Sequence, residues 1–459
     1  MRVSIGIDIA CRAAHQASCA DTRGAMLWTG YRFTTDVDDL ERLWLKVPPE
    51  ADEVVVVMEP TRNAWVPLAA WFRGKGARVV VVPSEQSADL RAYYSKHAKT
   101  DRLDSQLLAR VPLLHPEGLH EEKGLGPGDA LKRAVKLRSG LVLRRTTSMH
   151  RLDALLEIMG PGWVRALRTD MNKTALMFLS RYADPFEVRR LGRARLSRFM
   201  HRHSRGRWGE READLLLDAA NATIALWGEE GLDFVALSED IAIEARLALN
   251  FTDEIKEITE RVAVMYRALD PNGIVLSAPG VGPTLAAQIF GRLGDANRFS
   301  SLSGVRSFAG LVPRQNLSGS GGTTGGPTKA GDACLREALY MAADHARKRD
   351  PQLAARYYRL MVVAGKCHVS ALCSVAAVLL TRIAACLRSG EPYELQDIDG
   401  RPITVEEGRE ICAERYTVSA EVRAARRSGP RSKVLKGRNG VTDEGVVKRS
   451  EATPVPIPA

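Results

Sequence analysis

The chain has 459 residues, a formal net charge of +11 and a pI near 9.4. Its length exceeds what one hydrophobic core serves, so two or three domains are expected, and its positive balance selects a polyanionic partner. An anionic membrane would also satisfy the charge, but no uninterrupted apolar stretch reaches the ~18 residues a span needs; the longest candidate, 369–387, carries Thr381 and Arg382 and reads as a buried helix, so no membrane partner is expected.

The first element is VSIGIDIA (3–10). Strand alternation puts Val3, Ile5, Ile7 and Ile9 on one face and Ser4, Gly6, Asp8 and Ala10 on the other. The Asp8 carboxylate thus shares its face with small residues, which would let a metal and a phosphate approach closely. The run VVVVM (54–58) has the β-branched character of a parallel strand buried on both faces, and Glu59 lies just past its carboxyl end, where open α/β sheets place their sites. A helix over 64–74 and a second apolar run, Val79 to Val82, complete a βαβ unit.

Next comes KTDRLDSQLLARVPLL (99–114). Thr100 is the expected N-cap, and Asp101 and Asp104, three apart, project from one face of the first helical turn. Acids at a helix start are favoured by the macrodipole alone, at ~0.3–1 kcal/mol each. Asp8 has no such bland account, since a carboxylate within an apolar strand is costly unless compensated. Together Asp8, Glu59, Asp101 and Asp104 suit two hard cations, Mg²⁺, about 3.5–4 Å apart in a phosphoryl-transfer site.

Beyond Leu114 the pattern turns helical. Residues 128–160 carry apolar positions at helical spacing with Lys132, Arg133, Lys136, Arg138, Arg144, Arg145 and Arg151 between them, and a second helical region at about 210–269 is expected to return antiparallel, giving a coiled-coil arm. Between them, VRRLGRARLSRFMHRHSRGRW (188–208) holds eight arginines and no acid; Arg195, Arg198, Arg202 and Arg205 are its candidate nucleic-acid contacts. Arginines this dense repel one another unless phosphates neutralise them, and Phe199 and Trp208 are candidates to stack on unpaired bases. A mobile, solvated connector is the plainer alternative.

PGVGPTLAAQIF (279–290) has the form of a helix-hairpin-helix turn, in which Gly280 and Gly282 permit a tight bend and the following helix start can hold a phosphate. NLSGSGGTTGGPTKAGD (316–332) has linker-like composition but sits between an ordered-looking FAGLVPRQ and a good helix, CLREALYMAADHA. The nearest basic residues are Arg314, Lys329 and Arg336. From about 396 the chain is polar and basic, ending PVPIPA, and is expected to be largely disordered, above all after 420. The seven cysteines form no CxxC pair, and MRVSIGIDIA begins directly as a strand with no signal peptide expected; both point to a reduced, cytoplasmic protein.

The strand IGIDIA, the strand end VVVVMEPT and the helix start KTDRLDSQLLA resemble the ribonuclease-H-like, RuvC-like domain of the DEDD insertion-sequence transposases, the IS-one-ten family, also called bridge recombinases. The segment 277–347, from SAPGVGPTLAAQIF to ALYMAADHA, resembles that family's C-terminal transposase domain. The resemblance implies an α/β plus all-α chain: a catalytic domain at 1–115, a helical basic arm at 116–269, a transposase domain with the helix-hairpin-helix turn at 270–395, and the tail at 396–459. It implies a metal-bound acidic tetrad, with Ser318 of NLSG as nucleophile and Ser320 as its near neighbour. It also implies double-stranded DNA as substrate, a structured noncoding bridge RNA as guide, and a dimer or tetramer whose active site is completed from two protomers. Two alternatives stay open at this point. One is a metal-dependent junction nuclease in which Ser318 is structural; the other is a non-catalytic helix-hairpin-helix binding protein, which would have no need of four acids.

Overall fold

A computed structural model describes residues 1–94, 100–114, 119–122, 124–126, 128–167, 171–318 and 321–426. For residues 94, 114, 120, 315–318 and 321–325 only the backbone is described. The chain divides into two units, Met1–Gly126 and Pro127–Ala459.

The first unit is a mixed α/β domain. Its elements are β1 (Arg2–Asp8), β2 (His15–Ala20), β3 (Met26–Phe33), α1 (Val37–Trp44), β4 (Glu53–Met58), α2 (Trp65–Gly74), β5 (Arg78–Val81), α3 (Ser84–Tyr94), α4 (Asp101–Leu114) and β6 (His120–Glu121). They build one sheet in the order β3-β2-β1-β4-β5-β6, with β1, β4 and β5 parallel to their neighbours in that set and the β2, β3 and β6 pairings antiparallel. The unit runs past the expected boundary at 115 because β6 pairs with β5 through Val80 and Val81.

The valines of β4 serve both faces. Val56 and Met58 pack with Ile5, Ile7, Leu68 and Phe72 under α1 and α2, whereas Val55 and Val57 pack with Val80, Leu108 and Val111 under α4. That two-sided burial explains the continuous β-branched run. On β1 the small-residue face is covered by α4. A Cβ added at Gly6 would lie 2.1 Å from the Ala109 nitrogen and 2.2 Å from the Ser105 carbonyl oxygen. The close approach expected of a metal and phosphate at this face is therefore made, at Gly6, by helix backbone. Ser18 and Ser105, both buried, share a 2.8 Å hydrogen bond beside that contact.

The second unit is helical. Two long helices, α5 (Gly128–Met159) and α10 (Phe234–Leu269), run antiparallel, as the pairs Arg138–Thr259, Arg145–Thr252 and Arg151–Glu244 require. Between them lie α6 (Pro161–Leu167), α7 (Lys173–Leu179), α8 (Pro185–Ser204) and α9 (Glu210–Trp227), which form a separate core with Leu152, Trp163, Phe178 and Leu216. At the other end of the pair come α11 (Pro283–Leu293), α12 (Leu302–Phe308), a hairpin of β7 (Pro313–Ser318) and β8 (Gly321–Pro327), α13 (Ala333–Ala346), α14 (Pro351–Tyr358), a π-turn (Arg359–Val363) and α15 (His368–Ser389). Helix α15 is long and apolar enough to cross a bilayer, but Leu372, Val375, Leu379 and Ile383 lie in the core of this unit. Its Arg382 meets Asp350 at 3.0 Å and the Tyr393 hydroxyl at 2.7 Å.

The tail expected from 396 is folded as far as Arg426. Helix α16 (Val405–Arg415) carries a Thr404–Glu407 capping box, and α17 (Ala420–Ala425) follows. The segment is anchored by Gly408 against the Arg349 carbonyl, by buried Cys412 and Val418, and by contacts of Asp397, Tyr416 and Arg426 with Gln352, Tyr358 and Val362. A backbone contact through glycine leaves no hydrophobic pattern, so composition alone read the segment as disordered. Residues 427–459 lie outside the described chain.

Gly6→Ala is expected to cost about 3 kcal/mol or more, since helix backbone rather than a flexible side chain must yield. A thermal or urea unfolding curve checks this, and an unchanged midpoint would show that α4 does not depend on the contact.

Candidate active site

Each of the four acids stands where a sheet or helix ends. Asp8 terminates β1, and Glu59 is the first residue past β4, which lies beside β1 in parallel. Asp101 and Asp104 open α4, whose start is capped as expected: the Thr100 hydroxyl accepts from the Leu103 amide at 3.2 Å. Because Gly6 holds α4 directly on β1, the first turn of that helix is brought to the end of the same strand. The loop after Asp8 is fixed by His15, whose Nδ1 accepts from the Ala10 amide at 3.2 Å and whose Nε2 bonds the Thr35 hydroxyl.

The electrostatics record the convergence. Asp8 is half-buried, and its carboxyl is pushed up to about 6, first by burial and then by Asp101, Asp104 and Glu59, with Arg91 acting against them. All three other acids therefore act on one carboxylate. Two residues that the sequence reading missed hold this array. Ser87 donates to Glu59 Oε2 at 2.6 Å, and Arg91 Nε lies 2.7 Å from Oδ1 of Asp104, which is only 8% exposed. The Arg91 contact is one of charge, without the alignment of a hydrogen bond. Ser87 and Arg91 are four apart on α3, so one helix face serves both acids; their i, i+4 spacing ahead of KTDRLD was the available signal.

Four carboxylates, three of which raise the proton affinity of Asp8, are the kind of donor set that hard divalent ions need. Among the described residues no three His, Cys, Asp or Glu side chains stand close enough to form a ready-made cage. Ser87 and Arg91 each contact an oxygen of a prospective ligand, Glu59 and Asp104 respectively. The residues fit Mg²⁺ in chemistry, with Arg91 standing as the cation that compensates Asp104.

The other predicted residues lie in the second unit. Ser318 ends β7 with its Cα opposite Gly321, so the glycine-rich stretch is a hairpin rather than a linker; Gly319 and Ser320 lie outside the described residues. Arg314 is exposed and donates to the Thr328 carbonyl at 3.0 Å, Lys329 is exposed with φ +57°, and Arg336 donates to the Ala309 carbonyl. Gly280 takes φ +78°, and a Cβ there would meet the Ala346 nitrogen at 2.5 Å, which gives this glycine a packing role; Gly282 caps α11.

The arginine run forms most of α8, broken at Gly192, where φ is +70°. Arg193 is paired with Asp214 and Glu210, and Arg190 with Glu187, so the run is partly neutralised by acids outside it. Arg195, Arg198, Arg202 and Arg205 are exposed, with no carboxylate partner among the described residues. The aromatic expectation is corrected: Trp208 is 3% exposed, and Phe199 packs among Phe178, Tyr182 and His203, so neither is free to stack on a base.

The rise of Asp8 from 3.8 to about 6 bounds its effect on stability at about 3 kcal/mol, and its partial exposure lowers that to on the order of 1–2 kcal/mol. Its raised folded value makes a contribution that is complete below about pH 4 and is lost as pH rises through about 6. In chelator, Asp8→Asn should match wild type near pH 4 and exceed it in stability by pH 7. With Mg²⁺ added, the wild type alone should gain stability. Parallel melting curves across pH would contradict the coupling.

The chain is similar in sequence to known transposases. One transposase family model, of the DEDD IS110 type, matches residues 5–161, and a second, described as Transposase IS116/IS110/IS902 family, matches 272–359; together they cover more than half the chain. The chain is 26% identical over 347 residues to the insertion element IS110 uncharacterized 43.6 kDa protein of Streptomyces coelicolor, covering 74% of this chain and 83% of that one. It is 28% identical to the insertion element IS116 uncharacterized 44.8 kDa protein of Streptomyces clavuligerus, over 84% of this chain and 95% of the relative. A shorter match, 29% over 124 residues, covers 25% of this chain and 34% of the transposase for insertion sequence element IS1111A of Coxiella burnetii. The mixed α/β unit with its acidic site and the helical unit beyond it thus belong to a DNA transposase, a member of the IS110 family of DEDD insertion-sequence transposases.

Proposed function

We propose that this transposase cuts and rejoins DNA with Asp8, Glu59, Asp101 and Asp104 as the ligands of two Mg²⁺ ions and Ser318 as the nucleophile. The observation that carries the metal half is the action of all three other acids on Asp8. The β3-β2-β1 antiparallel ribbon followed by parallel β4 and β5 supports a ribonuclease-H-like, RuvC-like reading of the first unit. Bound there, Mg²⁺ would stabilise charge on the phosphate and the departing oxygen. The protein's own part is to hold the carboxylates: Ser87 orients Glu59, and Arg91 compensates the charge of Asp104.

Ser318 would form an ester with the scissile phosphate as the strand leaves with its hydroxyl, conserving the bond energy for rejoining. The hairpin gives that serine a fixed backbone register opposite Gly321. The exposed arginines of α8 support a nucleic-acid contact, and the resemblance to bridge recombinases supports a structured RNA guide and a dimeric or tetrameric assembly. The phosphate role of the Gly280–Gly282 turn belongs to the same proposal, with α11 supplying free amides at its start.

One assay tests both halves. Protein incubated with Mg²⁺, element-end DNA and its co-purifying RNA, then denatured, should yield a covalent protein–DNA species. Ser318→Ala and Asp8→Asn should each lose it, while Ser320→Ala keeps some. An adduct that persists in Ser318→Ala moves the nucleophile elsewhere. Metal-dependent nicking with no adduct in any form favours the junction-nuclease alternative, and full activity after RNase treatment removes the guide.

A further inference from the structure

The face of α14 offers a second cationic site, built from residues other than the acids and the arginines of α8. Gln352, Arg356 and Arg359 follow one another at helical spacing and line an open cavity of about 330 Å³ with Arg382 and Ile398. The four polar residues differ in how they are satisfied. Arg382 is fully engaged: it meets Asp350, Tyr393 and the Gln352 side chain. Asp350, 1% exposed, divides its oxygens between Arg382, the Tyr393 hydroxyl and the Leu353 amide at the start of α14, so its charge is spent.

That leaves Arg356 and Arg359 facing the cavity with no carboxylate partner among the described residues. Arg356 is anchored through Nε and Nη2 to the Ser374 hydroxyl at 3.2 and 2.9 Å, a neutral partner. Burial, then Arg359, then Arg306 pull its guanidinium below the ordinary value. Arg359 is exposed and opens the π-turn, closed by the Ala364 amide on the Arg359 carbonyl at 2.9 Å. Single π-turns recur at functional sites because they cost helix stability and re-aim the residues around them. Like charges gathered on one cavity wall, with the nearby acid committed elsewhere, are the arrangement an oxyanion relieves.

We infer that this cavity is a phosphodiester-binding site, in which Arg356 and Arg359 grip a backbone phosphate of nucleic acid while Arg382 shapes the wall. A backbone phosphate is favoured over a small anion because the cavity is open to one side and Ile398 leaves an apolar surface against which a sugar can rest. The inference rests on reading the second unit as a nucleic-acid-contacting part of the transposase.

The test uses full-length protein with two probes, a random-sequence DNA duplex and a single-stranded RNA, each titrated from about 50 to 200 mM salt. Arg356→Gln/Arg359→Gln should flatten the log–log salt slope by about one to two units, at ~0.9 per duplex phosphate or ~0.7 per single-strand phosphate. Flattening on one probe alone names the strand type that the cavity takes. Should the double variant fail to fold, Arg359→Gln, which removes an exposed side chain, carries the test with about half the effect. The control Arg401→Gln/Arg415→Gln removes the same charge from arginines already paired with Asp397 and Glu414 and should leave the slope unchanged. An unchanged slope on both probes, or equal flattening by the control, overturns the site. The serine adduct assay reads separately: an intact adduct with an unchanged slope rejects the cavity alone, whereas a flattened slope without an adduct rejects the nucleophile alone.

Discussion

The contact on which the catalytic unit depends is the approach of α4 to β1 at Gly6. No side chain larger than hydrogen fits between the strand and the Ser105–Ala109 backbone. With α4 seated there, Asp101 and Asp104 at its first turn reach the end of β1 that carries Asp8, and parallel pairing of β1 with β4 brings Glu59 alongside. One glycine contact and one parallel strand pair thus bring four acids, separated by almost a hundred residues of chain, into a single electrostatic group. The cost appears as the raised carboxyl of Asp8, and the compensation as Arg91 beside Asp104. Carboxylates gathered this way raise the proton affinity of Asp8, a concentration of charge that a bound cation would relieve.

The second unit solves a different problem. A +11 chain must keep its arginines from destabilising the fold while leaving some for nucleic acid. On α5, Arg138, Arg145 and Arg151 are tied across the helix pair to Thr259, Thr252 and Glu244. On α8, Arg190 and Arg193 are paired, whereas Arg195, Arg198, Arg202 and Arg205 are left exposed. On α15, Arg382 is paired with Asp350 and Tyr393, whereas its cavity neighbours Arg356 and Arg359 have no carboxylate partner among the described residues. The distribution separates structural arginines from available ones more sharply than any count of charges.

Much of this was legible before the fold. Asp8 stood out because an acid in an apolar strand needs compensation, Glu59 because it follows a β-branched run, and the Asp101–Asp104 pair because Thr100 marks a helix start. Apolar spacing gave an antiparallel return over about 210–269, of which Phe234–Leu269 makes the return while Glu210–Trp227 is a separate helix in the neighbouring core. Other features left no local trace. Ser87 and Arg91 matter only through which acids they face, and helix spacing alone does not say that. Trp208 and Phe199 looked like stacking residues until tertiary packing buried the first and surrounded the second with aromatics. The small face of β1 was rightly seen as a place of close approach, but the partner at Gly6 is α4 backbone. Residues 396–426 fold through a glycine contact, a few buried side chains and scattered long-range contacts, too sparse for composition to register.

The central claim is that the four acids form one metal site, and the most direct measurement of it is metal-directed backbone cleavage. Fe²⁺ exchanged for Mg²⁺, with ascorbate and peroxide, generates hydroxyl radicals where the ion sits, and the cuts map its surroundings. The account predicts cuts clustered near Asp8, Glu59 and Asp101–Asp104, suppressed by excess Mg²⁺ and absent in Asp8→Asn. Cuts confined to one of those segments, or a pattern that Asp8→Asn leaves unchanged, would contradict it.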